Sequence, residues 1–245
     1  MRIAYFDCFA GISGDMALAS LIDAGLNFPD FLDALKRFKF YFFSVSRKKI
    51  KGEKINATQV FIHTKKQRNY SYLDFLRILK SSVLPESIKV QAISTFKDLA
   101  AAEKKVHGVK TRDFHFEQLG EIDTLVDIVG TYLALDLWGI ERVYFSRIRL
   151  ARGGTFKHDG ENLPLPGPAV VELLKGIPVE FIEAPYEYVT PTGAVLVKNL
   201  FKTAASKKLP LFKILSVGYG AGSKKFCKKP NFLRVIIGEA RKSVT

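Results

Sequence analysis

Two stretches of this sequence concentrate side chains that could do chemistry. The first is Tyr5-Phe6-Asp7-Cys8-Phe9-Ala10-Gly11-Ile12-Ser13-Gly14-Asp15-Met16, in which a hydrophobic run passes two acids, a thiol and paired glycines before an apolar helix. A strand that ends in a glycine-rich loop and enters a helix presents backbone N–H groups and the positive end of a helix dipole, which suits anions. Gly11, Ser13 and Gly14 would form that cradle, and Asp7 and Asp15 at the same mouth would hold a divalent metal. The Gly-x-x-Gly-Asp spacing matches neither the dinucleotide fingerprint nor the P-loop. A structural alternative stays open, in which the glycines only make a tight turn and Asp15 caps the helix.

The second stretch runs from Phe114 to Asp127 and carries His115, Glu117, Asp123 and Asp127. Between Asp113 and Trp138 there is no Lys or Arg, in a chain whose formal charge is +14. His115 and Glu117 alternate, so on extended backbone they point to one face; Asp123 and Asp127 share one face of a helix. A carboxylate in an apolar setting is usually paired or metal-bound, and imidazole plus carboxylate suits Ni, Zn, Mn or Fe. An exposed helix stripe with Asp123 as the N-cap is the alternative.

Other signals are weaker. His107 precedes Gly108 at a helix end, where an imidazolium favours the dipole. Arg152–His158 reads as a phosphate-binding turn or a plain loop. In Glu-Tyr-Val-Thr-Pro-Thr-Gly (187–193), Thr190 and Thr192 stand just ahead of a helix, as a cap or as ligand contacts. Gly218-Tyr219-Gly220-Ala221-Gly222 would admit a ligand close to the backbone. Cys8 is a candidate soft ligand. No Ser-His-Asp order or CxxC pair supports a hydrolase or a zinc ribbon.

The elements that must position these groups alternate irregularly. Strands are expected at Arg2–Cys8, Glu141–Leu150, Phe212–Val217 and Leu233–Gly238, and an antiparallel hairpin is expected from Phe40–Ile50 and Lys54–Thr64. Helices are expected at Asp15–Gly25, Tyr72–Ser81, Glu86–His107, Asp123–Leu137, after the proline loop through Lys175, and at Thr192–Phe201. The class is α+β, a mixed sheet with an antiparallel hairpin packed by helices. One module over residues 1–245 is expected, with two closely packed subdomains at about 1–110 and 111–245 as the finer division.

Composition narrows the partners. No apolar run approaches the ~18 residues of a membrane span, and two cysteines build no disulfide framework, so a cytoplasmic protein is expected. Residues 47–68 hold eight Lys/Arg against one acid, and residues 198–245 hold twelve against one. Such charge suits an anionic partner, but neither segment interleaves aromatics as a base-stacking platform would, which argues against nucleic acid. A basic nucleic-acid binder and a metal-dependent hydrolase or transferase on a nucleotide or phosphate ester are the alternative functions.

Together, "FDCFAGISGDM", "HGV", "LGEIDTLVDIVG", "LPLPGPAVVELLKGIPV", "YVTPTGA" and "GYGAG…PNFLRV" resemble the LarC family of nickel-insertion proteins, in the family's order and over nearly the whole chain. The resemblance implies a lyase-class enzyme that delivers Ni2+ to a pyridinium bis-thiocarboxylate mononucleotide, making a nickel-pincer cofactor with one carbon–nickel and two sulfur–nickel bonds. It implies CTP with Mn2+ or Mg2+, and Asp7, Asp15, His115, Asp123 and Asp127 as the leading site residues. The family continues past the position of Leu233-Arg234-Val235 into a region associated with CTP. A second polypeptide supplying that region is therefore an expected partner, and a homo-oligomer is a further expectation. The family's His-x-His-Glu reads His115-Phe116-Glu117-Gln118 here.

Overall fold

The structure is a computed structural model that describes residues 1–38, 43–52, 55–64, 68–110, 114–116, 118–158, 160–204, 208–223 and 231–241. Its centre is a six-stranded mixed sheet. The strands are β1 (Arg2–Asp7), β2 (Phe43–Lys51), β3 (Asn56–Thr64), β4 (Arg142–Phe145), β9 (Phe212–Ala221) and β10 (Phe232–Ala240), in the order β2-β3-β9-β10-β1-β4. β2–β3, β9–β10 and β10–β1 are antiparallel, whereas β1–β4 and the single bridge between β3 and β9 are parallel. Two small pairs stand apart: parallel β5 (Ile148–Arg152) with β8 (Val179–Glu183), and the hairpin of β6 (Thr155–His158) with β7 (Glu161–Pro164). This is the α+β class that the alternating patterns predict.

The helices are α1 (Gly14–Asp23), α2 (Phe28–Lys36), α3 (Tyr72–Ser81), α4 (Glu86–His107), α5 (Ile122–Leu137), α6 (Pro168–Leu173) and α7 (Pro191–Ala204). Local chemistry sets their ends. Ser71 and Asp74 form a reciprocal capping box at the start of α3, and Gly108 closes α4 in the left-handed region at φ 66°. α5 is buried nearly all round and packs on α1, placing its first turn beside the glycine-rich loop. Among the described residues no helix is long and apolar enough to cross a membrane.

Three expectations are corrected. The strand expected over Glu141–Leu150 is broken at Ser146, whose N–H donates to Phe6 O (2.9 Å) while its hydroxyl accepts from Cys8 N–H; β5 then leaves the main sheet to pair with β8. The loop marked by Pro164, Pro166 and Pro168 includes the end of β7, and the helix expected after it through Lys175 starts at Pro168 itself, where a proline loses no hydrogen bond, and ends at Leu173. Of the glycines expected to admit a ligand, Gly222 lines a cavity, whereas Gly218 and Gly220 belong to β9 and admit a helix instead. A Cβ on Gly218 would lie 2.2 Å from Ser20 O, and one on Gly220 would lie 2.1 Å from Met16 O, both backbone atoms of α1.

That close approach gives a first prediction. Gly220→Ala should destabilise the chain by about 1–3 kcal/mol, because neither backbone can yield cheaply. For a chain of this size each kcal/mol lowers Tm by about 2–4 °C. A thermal melt superimposing on that of the unsubstituted chain would show that α1 rides less tightly on β9.

Candidate functional site

The glycine-rich loop between β1 and α1 is folded back by Gly11, which has φ 93° and donates its N–H to Cys8 O at 3.0 Å. It is stitched to the segment before α7: Ile12 N–H donates to Tyr188 O (2.9 Å) and Thr190 N–H to Ile12 O (3.2 Å). The contact leaves no room for side chains. A Cβ on Gly11 would meet Tyr188 O at 1.8 Å, and one on Gly193 would meet Ile12 O at 2.2 Å. Thr190 caps α7, its hydroxyl accepting from Gly193 N–H at 3.2 Å. Gly14 completes the junction, since a Cβ there would lie 2.8 Å from Asp127 Oδ2 and 3.0 Å from Thr192 Cγ2. The first turns of α1, α5 and α7 therefore meet at one point.

That point is one wall of a cavity of about 620 Å3. Ser13, Gly14, Asp15, Asp123, Asp127, Thr190 and Thr192 all line it. A second wall is aromatic and apolar, with Phe116, Phe156, Leu163 and Tyr188. Lys157 of the β6–β7 hairpin reaches the cavity too, and it is the one Lys or Arg among the described lining residues.

Asp15 is held firmly. Its Oδ1 accepts from the Ser13 hydroxyl and from Met16 N–H (2.8 Å), and its Oδ2 accepts from Ser223 N–H (2.8 Å). Asp127 is the opposite case. It is 8% exposed, and its Oδ1 is buried with no hydrogen-bond partner among the described residues. Burial raises its carboxyl well above the usual carboxylate range, and the charges of Asp15 and Asp123 raise it further. Asp123, at the open rim, is raised by burial first and then by Glu121 and Asp15, with His63 opposing. Three neighbouring carboxylates, with no Lys or Arg paired to Asp123 or Asp127 among the described residues, make this wall favourable for a cation.

The starts of α1 and α5 border the same space. Neither Ser13 at the start of α1 nor Glu121 at the start of α5 caps its helix with a side-chain hydrogen bond. The helix dipoles, and the first-turn N–H groups other than that of Met16, which is spent on Asp15, suit an anionic group on the same ligand. Among the described residues, however, no three His, Cys, Asp or Glu side chains converge to hold a metal ion by themselves. A metal seated here would complete its coordination from the ligand or from water.

Other expected site residues lie elsewhere. Asp7 does not line the cavity; its carboxylate is gripped by Arg234 of β10, with Arg234 Nε 3.1 Å from Oδ2. His115 is exposed between the buried Phe114 and Phe116, bridges to Ser71 and does not line the cavity. Glu117 and the basic run Lys224–Lys229 fall outside the described residues. Cys8 is fully buried with its Sγ 3.8 Å from Phe6 O, and burial pushes its thiol up, so it is no soft ligand for this cavity. Gly11 shapes the loop without lining the cavity.

The sequence reading missed Glu103, Glu121 and Glu187 and took His107 only as a weak helix-end signal, yet all four line the cavity. Glu103 and His107 are spaced four apart just before the glycine cap of α4, a visible signal that they share a face. Only the packing of α4 shows that this face turns inward.

A family model described as "Nickel insertion protein" matches residues 4–245. A provisionally named nickel insertion protein of Geobacter sulfurreducens is 40% identical over 98% of the chain and 62% of its own length. The pyridinium-3,5-bisthiocarboxylic acid mononucleotide nickel insertion protein of Geobacillus kaustophilus is 35% identical over 98% of the chain and 60% of its own length. The chain thus spans about three fifths of the curated relatives it matches. No solved structure shows a significant match.

Proposed function

The chain belongs to the nickel insertion protein family, and from that premise we propose that it holds nickel on the carboxylate wall of the cavity and presents it to a mononucleotide. The observation that carries this reading is Asp127, buried and with one oxygen unpartnered. A buried charge of that kind is costly unless a cation completes it. Asp123 and Asp127 hold the nickel, which is cargo rather than a resident cofactor, and Asp15 adds negative charge beside them.

Cargo must leave. An ion caged by four protein donors would be retained, whereas one held by two carboxylates passes readily to softer donors. Thiocarboxylate sulfurs on the ligand are such donors. Meanwhile the remaining first-turn N–H groups of α1, the cap region of α7 and Lys157 hold the phosphate. The aromatic wall of Phe156 and Tyr188 packs the pyridinium ring, favoured by cation–π attraction. The named Geobacillus relative supports the choice of mononucleotide. CTP with Mn2+ or Mg2+ activates the insertion in this proposal, through the region by which the relatives are longer or through a second polypeptide that provides it.

Calorimetric titration of the chain with nickel tests the first step. One nickel per chain is expected, with affinity strengthened by the pyridinium bisthiocarboxylic acid mononucleotide. No saturable nickel binding with or without that compound would remove the reading.

A further inference from the structure

His107 and Glu103 have no part in holding nickel or phosphate above, yet both face the cavity. Among the described residues His107 is the only histidine that lines it. Its Nε2 lies 3.3 Å from Glu103 Oε2, one helical turn back on α4. Its ring leans on Phe114, centroid to centroid 6.3 Å. Side-chain exposures of 28% for His107 and 12% for Glu103 describe an imidazole reachable from the cavity and a carboxylate mostly enclosed behind it.

We infer that His107, positioned by Glu103, is the proton acceptor of this cavity. The inference rests on the nickel-insertion reading. When nickel replaces hydrogen on a ligand atom, that bond breaks, its electron pair becomes the bond to nickel, and a proton must leave. No electron is gained or lost, and the charge balances when the proton arrives on a neutral imidazole. Carboxylates already binding nickel are poor acceptors, and both oxygens of Asp15 are occupied by Ser13, Met16 and Ser223. Imidazole is the usual base for such a transfer near neutral pH. The Glu103 carboxylate, 3.3 Å from Nε2, then stabilises the imidazolium that forms.

The test assays metallation by mass spectrometry, with nickel, the pyridinium bisthiocarboxylic acid mononucleotide, CTP and manganese. It is run on the chain alone and with the extra region of a longer relative added. His107→Ala is expected to lower kcat by about 100-fold or more, with KM and nickel affinity nearly unchanged and with turnover restored by added imidazole. Glu103→Gln is expected to lower kcat less, by about tenfold, without imidazole rescue. Wild-type kcat in His107→Ala would overturn the inference. So would lost nickel affinity, which would make His107 a ligand, or a variant with unaltered melting that imidazole fails to rescue. If the unsubstituted chain binds nickel but forms no product in either arrangement, the insertion reading itself fails, and this inference with it.

Discussion

Replacing both Asp123 and Asp127 with Asn is expected to weaken nickel binding at least tenfold, about 1.4 kcal/mol, while making the metal-free chain more stable. The two effects have one cause. Asp127 is buried with an unpartnered oxygen, and Asp15 and Asp123 crowd it with like charge. Neutral Asn keeps the shape and removes the charge, which should stabilise the apo fold by relieving charge burial and repulsion from Asp15, about 1.4 kcal/mol for each pKa unit by which Asp127 is raised. Asp7→Asn is the control. Asp7 is already claimed by Arg234 outside the cavity, so nickel affinity should hold within about twofold, a few tenths of a kcal/mol.

The pH dependence follows with a definite sign. The folded-state pKa of Asp127 is raised, so below the unfolded value near 3.8 the group is protonated in both states and costs nothing. As pH rises above that value the unfolded chain ionises first, and apo stability falls until the folded carboxyl ionises too. Nickel must displace the same proton, so its affinity should grow with pH over that window. Calorimetry at several pH values, beside apo melts, measures both. Equal nickel affinity in the double variant, with no gain in apo stability, would mean that the acidic wall is neither strained nor metal-binding.

Much of this architecture was legible because local rules and tertiary packing agree. The patterns at 72–81 and 86–107 coincide with α3 and α4, where a capping box and a left-handed glycine fix the ends. α2 went unread although Asn27 accepts from Asp30 N–H and Pro29 sits in its first turn, signals masked by a short, phenylalanine-rich segment. The acidic helix and the glycine loop were readable as chemistry, but not their meeting point. That depends on Gly14 touching Asp127 across 113 positions of sequence, a contact no periodicity encodes. Likewise the glycines of β9 looked like ligand space, because sequence alone cannot tell a helix backbone from a substrate as the neighbour.

Gly11→Ala is expected to be among the most damaging single substitutions in the chain, because two independent penalties coincide. At φ 93° an L side chain is strained, and its Cβ would lie 1.8 Å from Tyr188 O. Strain and overpacking each cost about 1–3 kcal/mol, so a loss of roughly 3 kcal/mol or more is expected, about 6–12 °C in Tm. Gly108→Ala separates the two penalties. Gly108 has φ 66° with nothing within 4 Å of its Cβ position, so it should cost only the left-handed strain of about 1–2 kcal/mol. The functional consequence should follow the same division. Gly11 lets the hydrogen bonds of Ile12 and Thr190 close, and these set the start of α1 against the start of α7. Pushing the loop off Tyr188 draws Gly14 and Asp15 away from Asp127 and Thr192, so mononucleotide binding should weaken in Gly11→Ala even below its melting transition. Gly108→Ala should bind as the unsubstituted chain does. If the two variants melt alike and bind alike, the junction between the glycine loop and α7 does not organise the cavity.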